Sequence, residues 1–286
     1  MVIGVPSGIG DISWVYSKLS TVGKLEYQIA DGWPYRAVDY MKLLPQVESV
    51  RYGEFEFQDI VAFQCVQERT LGEPLTWEAL QRSGASRVLL QPNHHLERGH
   101  PLARWLPDLP TDYHYPIHIP VHCEAEASML LGGVVDPARA VGITCASYRG
   151  SVAWKTWGLE EWVELCGYLT TGGWTPVFLG AVWDDLTAAV SEAVPGGVDL
   201  VGRTSFGTAC AVHQKLAFFI GFSSGLGIIR SVLGLPTYML WPVHQQALST
   251  SWADPEDLKS LRYLATGYLS PRAVYLLFSR QVEAFR

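Results

Sequence analysis

Short apolar runs alternate along the chain with longer stretches in which apolar positions recur every three or four residues. Residues 1–5 (MVIGV), 24–30 (KLEYQIA), 59–65 (DIVAFQC) and 86–92 (SRVLLQP) have the length and character of buried strands, while 11–20, 34–44 and 76–83 carry a helical period. Strands that alternate with helices predict a parallel sheet, because each crossover helix returns the chain to the same end of the sheet. A Pro- and His-rich stretch, DLPTDYHYPIHIPVH (108–122), breaks the rhythm and reads as a linker or an acceptor loop. The alternation then restarts more regularly: AVGITC (140–145), a helix from Leu159 to about Thr170, TPVFLG (175–180), a helix near 183–193, VDLVG (198–202), a helix near 205–213, AFFIGF (217–222), a helix near 225–233, and PTYMLW (236–241). Two doubly wound α/β domains follow, residues 1–138 and 139–286, with ligand sites expected at the carboxyl ends of the strands and in a cleft between the domains.

Composition narrows the class. With 286 residues, 48% of them hydrophobic and 17% charged, the chain has enough apolar surface for a substantial core. No apolar run approaches the roughly 18 residues that span a bilayer, and the start lacks a secretory signal's basic and apolar regions, so a cytoplasmic protein without a transmembrane segment is expected. The five cysteines, Cys65, Cys123, Cys145, Cys166 and Cys210, form no CxxC pair and read as buried free thiols. Charge is uneven: residues 1–138 hold 10 Lys and Arg against 17 Asp and Glu, whereas 139–286 hold 11 of each. A protein that grips duplex nucleic acid draws its affinity from basic side chains on phosphates, which weighs against that partner.

The first glycine turn poses a chemical question. Pro6-Ser7-Gly8-Ile9-Gly10-Asp11 sits between strand and helix, where a dinucleotide fold seats its pyrophosphate, yet no third glycine completes GxGxxG and Asp11 would repel a phosphate. NAD binding is therefore excluded. Two readings of Asp11 stand. It caps the helix, a role worth about 0.5–2 kcal/mol, or it is a general base that deprotonates an acceptor hydroxyl.

Three segments, in order, resemble the heptosyltransferase-like glycosyltransferases of glycosyltransferase family 9. SGIGDISWVYSKL resembles the family's amino-terminal small-residue turn with its Asp. VGITCASYRGSVAWKTWGLEEWVELCGYLTTGGWTPVFLG (141–180) is similar to the segment that runs from a strand through a Lys-x-Trp pair and an acidic-headed helix to a strand ending in Leu-Gly. DLVGRTSFGTACAVHQKLAFFIGFSSGLGIIRSVLGLPTYMLW (199–241) is similar to the Gly-Arg/Lys-Thr-Ser helix, the next strand, and the Ser-Gly turn that opens another helix. The resemblance implies a GT-B fold, two Rossmann-like domains facing across a cleft, the first for the acceptor and the second for a nucleotide-sugar. It further implies that the closing helix, about 271–286, packs back on the first domain.

What the resemblance implies chemically is inversion at the anomeric carbon without a metal or other cofactor, using a UDP- or ADP-sugar donor, with Asp11 as base. Gly10, Ser13 and Trp14 then lie on the acceptor side. Lys155, between a strand end and a helix start, becomes the cation for the departing diphosphate, although a surface lysine is the plain alternative. Ser223, Ser224, Gly225, Leu226 and Gly227 offer hydroxyls and backbone N–H groups to the same diphosphate, or simply cap a helix. The family commonly places an acid before this Ser-Gly and a His after it, where this chain has Ser223 and Ile228. Arg230, two places on, is a replacement phosphate ligand or a helix-surface arginine. Tyr148 and Arg149 stand where the family approaches phosphate. Gly180 with Asp184 stands where it contacts the nucleoside, the adjacent Asp185 making a pair that equally suits a helix dipole.

The remaining candidates concern the acceptor and metal. His114, His118 and His122 recur every four residues beside Cys123, Glu124 and Glu126, but Pro116 and Pro120 prevent the helix that would align them, so a metal site is not expected. His94 and His95 follow a predicted strand and are acceptor contacts. Trp14, Trp33, Trp77 and Trp105 offer flat faces for a sugar or base, or belong to the core. The expected partner is a nucleotide-sugar with a carbohydrate or other hydroxyl-bearing acceptor, and the protein is expected to be a monomer. Transfer to hydroxymethylated DNA bases is the alternative, and a GT-B protein that binds nucleotide-sugars without catalysis is the reading from another class.

Overall fold

A computed structural model describes residues 2–5, 8–29, 34–52, 88–89, 96, 99–132, 136–145, 157–241, 246–267 and 269–285. The chain divides into two compact units: Met1–His118 with Thr250–Ala253, and Ile119–Ser249 with Asp254–Arg286.

The first unit contains β1 (Val2–Val5), α1 (Ile9–Leu19), β2 (Leu25–Ile29), α2 (Pro34–Met41), β3 (Val47–Tyr52) and β4 (Val88–Leu89). All strand pairs are parallel, in the order β3-β2-β1-β4. The chain therefore leaves β1 toward β2 on one side and finds β4 on the other. Helix α1 is buried from Ile12 onward, which explains its apolar character around most of its circumference. Even Lys18 is buried, its Nζ donating to the carbonyls of Ala103, Leu106 and Leu109 at 3.2, 3.4 and 3.1 Å. Desolvation pushes that ammonium down to about 8. The Asp112 amide donates to the Ser17 carbonyl, and the His118 amide to that of Leu43. Residues 102–118 are thus laced onto α1 and the turn after α2 rather than forming a free linker. The expected strand 59–65 and helix 76–83 lie outside the described residues, and β3 was not expected.

The second unit begins with α3 (Val121–Leu131), twenty residues before the expected boundary, because a helix follows Pro120 directly. Then come β5 (Ala140–Thr144), α4 (Leu159–Thr171), β6 (Thr175–Phe178), α5 (Asp185–Ala193), β7 (Val198–Asp199), α6 (Phe206–Lys215), β8 (Phe218–Phe222), α7 (Gly225–Val232), β9 (Thr237–Leu240), α8 (Gln246–Ser251), α9 (Pro255–Lys259), β10 (Tyr263–Thr266) and α10 (Pro271–Ala284). The sheet is parallel in the order β10-β9-β8-β5-β6-β7. Counted within the unit, that order is the 3-2-1-4-5-6 of a Rossmann fold, read from the β7 edge. Strands β5 and β8 are buried at every position, as expected of parallel strands covered on both faces. The first unit repeats the same beginning, 3-2-1-4.

Helix α10 closes the second unit. It lies along α4, its Val274, Phe278 and Val282 joining the core that holds Val141, Trp162, Phe178 and Ile220. Phe278 meets the Trp174 and Phe218 rings edge-on, at 5.3 Å in each case. Cys123, Cys145, Cys166 and Cys210 are buried free thiols, as read from the sequence. Among the described residues no helix is long and apolar enough to cross a membrane.

Candidate active site

In an open α/β sheet, ligands lie beyond the carboxyl ends of the strands where the winding reverses. In the second unit that point falls between β5 and β8, whose ends pair Thr144 with Gly221. The chain leaves β5 at Cys145 and returns at Trp157; Tyr148, Arg149 and Lys155 fall between, outside the described residues. From β8 it passes through Ser223 into α7. Ser224 caps that helix, its Oγ accepting from the Gly227 amide at 3.4 Å. Gly227 lies so close to β8 and β9 that a Cβ there would run into Met239 Cε and stand 3.2 Å from Phe219 Cε1. Ser223, Gly225 and Leu226 remain partly exposed, and the first-turn amides of α7 have no acceptor within the helix. Ile228 is buried.

Arg230 does not join this group, correcting the expectation that it binds phosphate. The side chain is fully buried. Its guanidinium donates to the carbonyls of Leu216 at 2.8 Å, Ala217 at 2.9 Å and Pro236 at 3.3 Å, and to that of His213. These carbonyls lie where α6 gives way to β8 and where the chain enters β9, so Arg230 ties three segments behind the turn. His213, also fully buried, has neither ring nitrogen hydrogen-bonded, and desolvation reinforced by Arg230 depresses it to about 3.

The turn after β6 is built on a carboxylate. Asp184 Oδ2 accepts from the Ala181 amide at 2.6 Å, the Asp184 amide returns a bond to the Ala181 carbonyl at 2.9 Å, and a Cβ on Gly180 would stand 2.7 Å from that same Oδ2. Asp184 is buried, and its carboxylate shapes the turn instead of facing outward, whereas Asp185 is exposed at the start of α5. Residues the sequence reading does not single out hold this edge together. Thr144 Oγ1 donates to the Leu179 carbonyl at 2.9 Å, the Cys145 amide donates to Thr187 Oγ1 at 3.1 Å, and the Gly202 amide donates to the Gly180 carbonyl at 2.9 Å. Gly202 has φ +68°, a conformation glycine adopts without strain, and that is the only local signal among them.

In the first unit the winding reverses between β1 and β4, and α1 starts at that point. Gly8 is the N-cap residue and Asp11 the third helical position, partly exposed, complementing the helix dipole. Gly10 is likewise partly exposed. Ser13 and Trp14, expected on the acceptor side, are core residues. The Ser13 hydroxyl bonds the Ile9 carbonyl at 2.7 Å and the Tyr40 hydroxyl at 2.9 Å, while Trp14 is buried with its ring centroid 6.4 Å from that of Trp252. Trp105 is buried as well. His94 and His95 lie outside the described residues.

Two parallel Rossmann-ordered units, each with a glycine turn at its switch point, give the fold of the GT-B class. The profile of glycosyltransferase family 9 (heptosyltransferase) matches residues 79–256, and the chain belongs to that family: it is a nucleotide-sugar glycosyltransferase. Solved structures share the fold across the whole length. A family 9 glycosyl transferase from Veillonella parvula aligns with a TM-score of 0.70 at 14% identity, over 99% of this chain and 97% of the other. The E. coli ADP-heptose LPS heptosyltransferase II gives 0.65 at 14%, over 99% of each chain. E. coli heptosyltransferase WaaC with ADP gives 0.55 at 13%, over 98% and 100%. No curated protein matches the chain by sequence.

Proposed function

We propose that this enzyme inverts the anomeric centre in one displacement, without a metal ion, using an ADP-sugar, with a heptose as the leading donor. The observation that carries this reading is the Ser224-capped glycine turn at the Rossmann switch point, which holds first-turn amides where a diphosphate would be received. In the displacement, Asp11 takes the proton of an acceptor hydroxyl and the freed oxygen attacks the anomeric carbon. The bond to the diphosphate breaks on the opposite face. Charge grows on the leaving oxygens, where the amides of the turn after β8 and Lys155 stabilise it. Gly180 borders the nucleoside. A metal-binding acid pair is disfavoured because Asp184 is buried with Oδ2 engaged by the Ala181 amide, while Asp185 is exposed.

ADP is preferred to UDP because the similar E. coli structures are an ADP-heptose enzyme and an ADP complex. A sugar hydroxyl is the proposed acceptor, the acidic balance of residues 1–138 disfavouring DNA, and the cytoplasm is the proposed location. The test is a thermal-shift panel of nucleotide sugars, followed by transfer assays with and without EDTA. ADP-heptose giving the largest shift and EDTA leaving turnover unchanged support the reading. A UDP-sugar preference, or activity abolished by EDTA and restored by a divalent cation, contradicts it.

A further inference from the structure

The carboxylate of Asp11 lies directly over the backbone of Gly8. A Cβ placed on Gly8 would stand 2.6 Å from Asp11 Oδ2 and 3.7 Å from Asp11 Cγ, and among the described residues, its chain neighbours aside, it would meet no other atom within 4 Å. Gly8 itself has φ −71° and ψ 127°, ordinary extended values open to any residue, and its carbonyl receives the first helical bond from Ile12 at 3.0 Å. Backbone conformation therefore gives no reason for glycine here. The reason that remains is the space above it.

We infer that Gly8 is a positioning residue, whose missing side chain fixes where the Asp11 carboxylate sits at the carboxyl edge of the first sheet. Any side chain at position 8 would swing the carboxylate to another rotamer, because a terminal carboxylate moves more readily than a helix backbone. The fold would tolerate that movement. Catalysis would not, since a base displaced by about 1 Å can cost roughly a hundredfold. The inference rests on the reading of Asp11 as the base.

Gly8→Ala, Asp11→Asn and Gly23→Ala separate the possibilities. Gly23 sits in the turn after α1 with φ +101° and open space around it, so alanine there strains the backbone without touching the site. With the donor and acceptor that the wild-type enzyme turns over, Gly8→Ala is expected to lower kcat by about ten- to a hundredfold. Its donor KM and ADP affinity should stay unchanged and its Tm should fall within about 3 °C of wild type. Gly23→Ala is expected to lower Tm and leave kcat per folded molecule intact. If Asp11→Asn is slow while Gly8→Ala keeps wild-type kcat, the positioning role is overturned and the base survives. If Asp11→Asn itself keeps wild-type kcat, the base reading falls and takes this inference with it. A Gly8→Ala variant whose Tm and kcat fall together, as for Gly23→Ala with inactive unfolded protein, also overturns it.

Discussion

Arg230 shows how far a residue's role depends on contacts that are distant in sequence. Its spacing from the Ser-Gly turn suggests a phosphate ligand, yet its guanidinium donates to carbonyls at positions 213, 216, 217 and 236 and none of it is exposed. Arg230→Lys keeps the charge but loses the fork, so it is expected to cost about 1–3 kcal/mol in denaturant unfolding while leaving ADP affinity per folded molecule unchanged. A selective loss of ADP binding would restore the ligand role. Its neighbour His213 is expected to contribute to acid sensitivity. With a folded value near 3 against about 6.5 unfolded, the unfolded chain binds the extra proton, so this group's contribution is full above pH 6.5 and is lost as pH falls toward 3. The slope is at most about 1.4 kcal/mol per pH unit. His213→Leu removes the titration and leaves no ring nitrogen unpaired, so its stability should be flatter over that range; an unchanged acid limb would show that other groups set it. Neither role was legible in sequence, where Arg230 reads as a phosphate ligand or a surface arginine and His213 as a polar residue on a helix.

At the scale of elements, the strands most plainly legible in the sequence are those buried on both faces. β5 and β8 are apolar at nearly every position, and a continuous apolar run is unambiguous. Among the described strands, sequence reading misses β3 and β10, both at sheet edges; the polar residues of VESVRY obscure the pattern in β3, and β10 is only four residues long. Helix α3 is missed for a related reason. Only Cys123, Ala127 and Leu131 of it are buried, so its apolar stripe is narrow. Polar contacts supply the rest of its docking: Thr208 Oγ1 on α6 donates to Glu126 Oε2 at 2.5 Å and also pairs with the Ser205 cap at 2.8 Å. The turn after β8, by contrast, is legible as a helix start because Ser and Gly have fixed uses there. Ser224→Ala should cost about 0.5–2 kcal/mol of stability through the lost cap. It should also weaken ADP binding several-fold in calorimetry, by loosening the first-turn amides. A variant that loses stability but keeps the wild-type dissociation constant would confine Ser224 to capping.

For the molecule as a whole, the order 3-2-1-4 occurs twice, and each time the reversal brings a glycine turn to the carboxyl edge of the sheet. One turn carries a carboxylate and the other carries amides and hydroxyls, a division suited to a base and to a diphosphate. The alternation of runs makes this doubling legible, whereas the boundary is not, because Pro-rich residues laced by backbone bonds onto α1 and the turn after α2 look like a linker. Hydrogen exchange with and without ADP is expected to show protection at residues 223–229 and 180–184 in the second unit and none at 9–14; protection centred on 9–14 would reverse the assignment. The central claim is tested most directly by Asp11→Asn, which keeps the shape of the side chain at the third helical position and removes the proton acceptor. The rate of sugar transfer is predicted to drop by about 10²–10⁴-fold while ADP affinity stays that of the wild type and Tm shifts by only a few degrees, the loss of one first-turn charge costing about 0.3–1 kcal/mol, and transfer at the wild-type rate would contradict the account.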